Sequence, residues 1–378
     1  MIKSRPMNTI SVTSLFGHYE VKFISDIKAT IERIVQENPS HLLIDSKIMN
    51  MYGDMFGNAN KFTSKKTIAV FERNKSLDTV QSYIRFLLRH HVKKNHMVIV
   101  VGGGLVQDIG SFTSHILLRG IRWIFIPTTL LSMADSCIGS KSGINVGKYK
   151  NQVGSFHPPH AIYIDPQFLQ TLPRDMILDG NGEIIKHAII SGGKTYDYLT
   201  KHLSNIQTNT TAARDVIFQS LLVKKKIVEE DEFDKGIRRL LNYGHTFGHA
   251  IEGYTKNSVP HGIAVTMGMD MANYISVQRG LLPQKEYKRM SGLLHQNIPI
   301  AKFPIKNIDT YMDFLSHDKK VIGNEVHALL CRGIGHVESI PVKLDKKLKG
   351  DVKAYVIAYP EIRSRALKNY AIKYKIAS

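Results

Sequence analysis

Apolar residues gather in short unbroken blocks early in this chain and spread to helical spacing later. Ser40-His-Leu-Leu-Ile-Asp45 reads as a buried strand that ends in a carboxylate. Residues 67–71, Thr-Ile-Ala-Val-Phe, read as a second strand. Residues 77–92 place Val80, Tyr83, Ile84, Leu87 and Leu88 on one face, which predicts an amphipathic helix. His96-Met-Val-Ile-Val-Val101 is a strand running straight into Gly102-Gly103-Gly104. Ile121-Arg-Trp-Ile-Phe-Ile126 is the next, closed by Pro127-Thr128-Thr129. Strands alternating with helices predict a mostly parallel sheet.

From about residue 175 helical patterns dominate, over 213–230, 245–254, 265–278 and 284–294, with a β-like stretch at 327–331. The pattern therefore predicts an α/β Rossmann-like N-terminal domain over 1–174. A mostly α-helical C-terminal domain follows over 175–378, ending in a basic tail. Residues 166–173 fit either side of that boundary. The N-terminus leads into no long apolar stretch, and no apolar run reaches the roughly 18 residues of a membrane span. The reading therefore expects no membrane partner.

Length and charge narrow the class. A chain of 378 residues with 43% apolar content suits two domains with sizeable cores. Its two cysteines, Cys137 and Cys331, form neither a disulfide framework nor a metal knuckle, so a cytoplasmic, reducing location is expected. The net charge of +19 fits either nucleic-acid binding or a pocket for an anionic substrate. The lysines are scattered, with no aromatic RNA-binding motif and no zinc-finger spacing, which favours the small anionic substrate.

Candidate chemistry lies in several places. Gly102-Gly103-Gly104-Leu105 follows a strand and opens a helix, as a pyrophosphate-binding turn would, although it is not the GxGxxG fingerprint. Asp45 could take a ribose diol or simply cap a turn. The segment from Asp135 through Lys141 and Asn145 to Lys150 and Asn151 interleaves small residues with lysines, as suits a loop around phosphate oxygens. His245 and His249 stand four apart on a helix, and His261 follows after a short turn. Upstream, Gly182-Glu183-Ile-Ile-Lys186 supplies a carboxylate and a lysine. Three N/O ligands with an open position make a catalytic zinc-type site. Spacing alone leaves open which of His245 and His249 binds metal. Lys224 and Arg238 are further candidates, and no zincin-type glutamate separates the two histidines.

Taken together, these segments resemble the dehydroquinate synthase family of sugar-phosphate cyclases, over residues 45–335. The motifs are GGGxxxD, RGxxxxxxPTTLL, ADSxxGxKxGIN, KNxxGxF, GEIIK, LLNxGHTFGHAIE and HGxAVxxGM. The resemblance implies NAD on the N-terminal domain, zinc or cobalt on the helical domain, and substrate in the cleft between them. It implies Glu183, His245 and His261 as metal ligands, with His249 turned to substrate. It implies that Asp135, Lys141, Asn151, Lys186, Lys224, Arg238, Asn242 and His249 serve substrate chemistry, together with Lys319 or Lys320. It implies NAD contacts at Asp45, Glu72, Lys75, Gly103, Gly104, Leu105, Asp108, Thr128, Thr129, Phe168, Thr171 and Leu172, and also at Asp135, Lys141 and Lys150. Arg119 would reach into a partner subunit's site, which implies a homodimer.

The implied reaction turns 3-deoxy-D-arabino-heptulosonate 7-phosphate into 3-dehydroquinate and phosphate, through transient oxidation at C4, elimination, reduction and an intramolecular aldol closure. That places the chain in the shikimate pathway of aromatic amino acid biosynthesis. The chain departs from the family pattern at Gln107 and Gly182, where glycine and alanine are usual, and at Met176, Asp234 and His327. Phe156-His-Pro-Pro159 is similar to cyclases of secondary metabolism that act on sedoheptulose 7-phosphate. Those relatives lack the second histidine of GHTFGH and the equivalents of Lys224 and Arg238, all present here. The alternatives are such a cyclase, one acting on glucose 6-phosphate, a metal-dependent polyol dehydrogenase, and a non-catalytic basic binding protein.

Overall fold

The computed structural model describes residues 9–56, 61–147, 149–317 and 321–374. The chain divides into two compact units. One runs to Leu172 and also includes Asn205–Glu232; the other comprises Pro173–Ser204 and the chain from Phe233 onward.

The first unit is a seven-stranded sheet in the order β1-β2-β9-β6-β5-β3-β4. Its strands are β1 (Thr9–Ser14), β2 (Gly17–Phe23), β3 (Ser40–Asp45), β4 (Ser64–Ile68), β5 (Met97–Gly102), β6 (Arg122–Pro127) and β9 (Ala161–Ile164). All neighbours pair in parallel except β1 with β2. Helices α1 (Ile27–Glu37), α2 (Ser46–Tyr52), α3 (Leu77–Arg89) and α4 (Gly104–Ile116) connect them. Every residue of β3 and β5 is buried, as Val/Ile/Leu runs in a sheet covered on both faces require. The strand expected at 67–71 lies three residues earlier, as β4. There the lysine-bearing Ser-Lys-Lys stretch forms the sheet edge, which apolar counting passes over. A separate hairpin, β7 (Lys141–Val146) with β8 (Tyr149–Phe156), occupies the segment expected to be a loop.

The second unit holds α5 (Arg174–Ser191), α6 (Gly193–His202), α8 (His245–Tyr254), α9 (His261–Gln278), α10 (Gln284–Gln296), α11 (Ile308–Ser316) and α12 (Lys346–Tyr374). A small antiparallel sheet of β10 (Val321–Ile322), β11 (Glu325–Gly333) and β12 (His336–Lys343) completes it. The long helix α7 (Thr210–Glu230) belongs instead to the first unit, although helical pattern alone assigned all residues after 174 to the second. Its side chains explain why: Ser220 donates to Ala134 O at 3.1 Å, and Glu229 accepts from Thr13 N at 2.7 Å. The basic tail is ordered as α12, whose Leu348, Val352, Tyr355 and Tyr359 are buried; Tyr355 donates to Asp270 of α9 at 2.8 Å. Among the described residues, no helix is long and apolar enough to cross a membrane.

Candidate active site

In the first unit the candidate nucleotide residues converge where parallel sheets bind ligands, at the C-terminal ends of the strands. Asp45 ends β3, Gly103 and Gly104 follow β5, Thr128 and Thr129 follow β6, and Phe168, Thr171 and Leu172 lie in the turn after β9. The N-terminus of α4 carries no side-chain cap, so its first-turn N–H groups suit an anion, with Leu105 in that turn. Asp45 caps α2 by accepting from Lys47 N at 2.8 Å, which is the turn-capping reading of that residue. Lys75 pairs with Asp108 at 2.6 Å, and Asp108 also accepts from Gly143 N at 3.0 Å. Burial pushes the Asp108 carboxyl up, against the pull of Lys75 and that N–H. Glu72 accepts from Asn145 at 2.8 Å, tying β7 to the same edge.

The β7–β8 hairpin and α4 enclose a recess of about 370 Å³ lined by Asp108, Lys141, Gly143 and Asn151 among others. Lys150 lies exposed on the same hairpin. Nearby in sequence, Asp135 pairs with Lys224 at 2.8 Å, and the lysine side chain is only 8% exposed. A buried lysine needs such a partner.

In the second unit Glu183 of α5, His245 of α8 and His261 of α9 turn one ligand atom each toward a common centre. Glu183 Oε1 stands 3.7 Å from His245 Nε2 and 3.5 Å from His261 Nε2. Donors about 2.1 Å from a tetrahedral metal stand roughly 3.4 Å apart, so these separations match a shared ion. They exceed the 2.7–2.9 Å typical of a charge-assisted hydrogen bond. The far nitrogens are anchored as well. His245 Nδ1 faces Tyr243 O at 3.3 Å, and His261 Nδ1 faces Glu252 Oε2 at 3.3 Å. Oxygen partners on Nδ1 fix the tautomer and leave Nε2 to ligate. Burial pulls His245 well below the usual imidazole range. Burial also opposes charge on His261, but the facing carboxylates of Glu183 and Glu252 outweigh it and raise the ring to about 10 when no metal is bound. A second group, His249, Glu252 and His261, also comes within metal-binding reach. The first group has the better claim: its carboxylate is 2% exposed, whereas His249 is exposed and Glu252 already engages His261 Nδ1. Lys186 contacts Glu183 one turn along α5, and both are buried. Arg238 is buried in the turn Ile237–Asn242, which ends at Asn242 just before Tyr243 and the metal-facing helix.

Two functional residues escaped the sequence reading. Glu252 lies seven residues after His245 on the same helix face, a spacing that could have flagged it. Asp179 accepts from Gly262 N at 2.6 Å and so holds the start of α9 beside Glu183; an isolated aspartate in a helix carries no such signal. Lys319 and Lys320 lie outside the described residues. Arg119 stands apart from the strand-end candidates of its unit: it precedes β6, the central strand, and so lies toward that strand's N-terminal end. Its backbone is left-handed (φ 59°), and Lys94 donates to the carbonyls of Leu118, Arg119 and Gly120.

A parallel α/β unit with an anion-ready strand edge and a helical unit with a Glu–His–His triplet, joined in one chain, define the architecture of the sugar-phosphate cyclases. Residues 65–179 match the 3-dehydroquinate synthase N-terminal family and residues 180–321 the 3-dehydroquinate synthase C-terminal family. The chain belongs to the 3-dehydroquinate synthase family. It is 39% identical to 3-dehydroquinate synthase of Pelagibacter ubique over 271 residues, covering 70% of this chain and 74% of that one. The enzyme of the same name from Clostridium tetani is 34% identical over 329 residues, covering 85% and 86%. The fold is similar to that of 2-deoxy-scyllo-inosose synthase complexed with carbaglucose-6-phosphate, NAD+ and Co2+ (TM-score 0.81, 23% identity, 92% of this chain and 99% of that one). It is also similar to that of 2-epi-5-epi-valiolone synthase from Streptomyces hygroscopicus with NAD+ and Zn2+ bound (TM-score 0.77, 25% identity, 91% and 97%).

Proposed function

We propose that this chain makes 3-dehydroquinate from 3-deoxy-D-arabino-heptulosonate 7-phosphate with release of phosphate, as a step of the shikimate pathway. The observation that carries the reading is the Glu183–His245–His261 triplet in a chain 39% identical to a 3-dehydroquinate synthase. Glu183, His245 and His261 hold a zinc or cobalt ion, and the strand-end residues from Asp45 to Leu172 hold NAD. When bound, NAD supplies transient redox chemistry at a substrate carbinol, and the metal supplies Lewis acidity to the substrate's oxygens.

The chain's own side chains do the rest. Lys141, Asn151 and His249 orient the phosphate. Arg238 offers a planar fork to the substrate carboxylate, and its burial strengthens that pairing. Lys224, held by Asp135, and Lys186, held by Glu183, keep positive charge where an anionic substrate must be neutralised. Asn242 hydrogen-bonds substrate hydroxyls, and Glu252 keeps His261 oriented. Arg119 serves the site of a second copy, so the active form is a homodimer. The buried free thiols of Cys137 and Cys331 suit a reducing cytoplasm.

The test is competition between substrates. With NAD and zinc, phosphate is released from 3-deoxy-D-arabino-heptulosonate 7-phosphate and not from sedoheptulose 7-phosphate. Release from the second alone would move the chain to another cyclase activity.

A further inference from the structure

Asp135 lies in an over-wide turn. Over Ser132–Ser136 the backbone is π-helical, and Cys137 N donates to Ser132 O at 3.1 Å, five residues back. Such a turn disrupts the regular helical ladder and recurs at functional sites. Three consecutive carbonyls here each take a side-chain donor instead. Ala134 O accepts from Ser220 at 3.1 Å, Asp135 O from Lys224 at 2.7 Å, and Ser136 O from Gln107 Nε2 at 2.7 Å. Ser220 and Lys224 come from one face of α7, whereas Gln107 comes from α4, the helix that begins at the glycine turn. The Gln107 contact is reciprocal, because Ser136 Oγ donates to its Oε1 at 2.6 Å. Gln107 is 6% exposed, so both bonds form largely out of water. Lys224 Nζ bonds both the carbonyl and the carboxylate of Asp135, so any shift of the turn shifts the charge pair.

We propose that Gln107 is a positioning residue: its amide fastens the π-helical turn to α4 and thereby sets the Asp135–Lys224 pair that serves the substrate. The inference rests on the substrate role given above to that pair. It explains why this position, adjacent to Asp108 on α4, holds an amide. A glycine there could make neither bond. A glutamate could accept from the Ser136 hydroxyl but could not donate to its carbonyl.

The experiment compares the wild-type enzyme with Gln107→Ala and Gln107→Glu, measuring phosphate release from 3-deoxy-D-arabino-heptulosonate 7-phosphate with NAD and zinc. Expected is a fall of about tenfold in kcat/KM for the sugar phosphate in both variants, the scale of one lost buried hydrogen bond. The KM for NAD should move less than kcat/KM for the sugar phosphate, since Gln107 is not itself an NAD contact and Asp135, which is one, keeps its bond to Lys224. Ser136→Ala should be milder, because the amide still reaches the carbonyl. Wild-type kinetics in Gln107→Glu, a change confined to the KM for NAD, or a lowered Tm with unchanged kinetics would each overturn the assignment. If Gln107→Ala fails to fold, the near-isosteric Gln107→Glu carries the comparison alone. The wild-type rate reports on the proposed activity itself, and the variant-to-wild-type ratio reports on Gln107, so the two failures are distinguishable.

Discussion

Gly182 of α5 and Gly262 of α9 meet backbone to backbone: a β-carbon on Gly182 would lie 2.1 Å from the Gly262 carbonyl oxygen. The next residue on α5 is Glu183, and the residue before Gly262 is His261, so this contact sets the distance between two members of the metal triplet. Alanine, usual in the family at 182, cannot be accepted here without moving one helix. Gly182→Ala should cost about 1–3 kcal/mol of stability through overpacking. It should also weaken zinc binding by about tenfold or more as the donors separate. Competition with a fluorescent chelator checks this, and unchanged zinc affinity would show that the helices adjust elsewhere.

Glu252 should matter to the metal without touching it. Its carboxylate holds His261 Nδ1, and loss of such an outer partner costs about 10- to 100-fold in metal affinity. Glu252→Gln should show that loss with the fold intact by circular dichroism. His245→Ala should abolish metal and activity together, and a metal-loaded, active His245→Ala enzyme would remove it from the ligand set.

Metal binding should release a proton. Without metal, His261 is raised to about 10, so it is protonated at neutral pH, yet only the neutral ring can ligate. Zinc affinity should therefore climb about tenfold per pH unit from pH 7 toward the His261 value. Titration calorimetry in buffers of different ionisation enthalpy should show about one proton released. Buffer-independent heats would contradict it.

A second acid-sensitive group lies in the first unit. His41 is fully buried, paired with Ser64 at 2.7 Å and His96 at 2.9 Å, and burial lowers it to about 4. Between about 6.5 and 4 the unfolded chain binds a proton that the folded chain refuses, so stability falls as pH falls through that window. The loss is on the order of 3 kcal/mol by pH 4. His41→Asn should flatten the pH dependence of urea unfolding there, and an unchanged slope would assign the sensitivity elsewhere.

Arg238→Ala should raise KM for the carboxylate substrate by about 10- to 100-fold, the worth of a charge-assisted pair. Equal loss on a sugar phosphate lacking the carboxylate would refute the proposed pairing.

The unbroken apolar runs at β3, β5 and β6 were legible because central parallel strands tolerate little else. The edge strand β4 and the β7–β8 hairpin were not, since their lysines, serines and glycines read as loop. Helical spacing revealed α7 but not the unit it belongs to, which depends on Ser220 and Glu229 finding distant partners. The tail became α12 through tyrosines that bury against α9 and α10, a match no local pattern announces. The triplet candidates were legible from spacing and resemblance, while Glu252, Asp179 and Gln107 act through contacts made only in three dimensions.

The most direct measurement follows phosphate release and NADH together during turnover of 3-deoxy-D-arabino-heptulosonate 7-phosphate by the zinc- and NAD-loaded enzyme. Turnover should yield stoichiometric phosphate and 3-dehydroquinate with no net NADH. Net NADH without phosphate would mark a polyol dehydrogenase and contradict the proposed function.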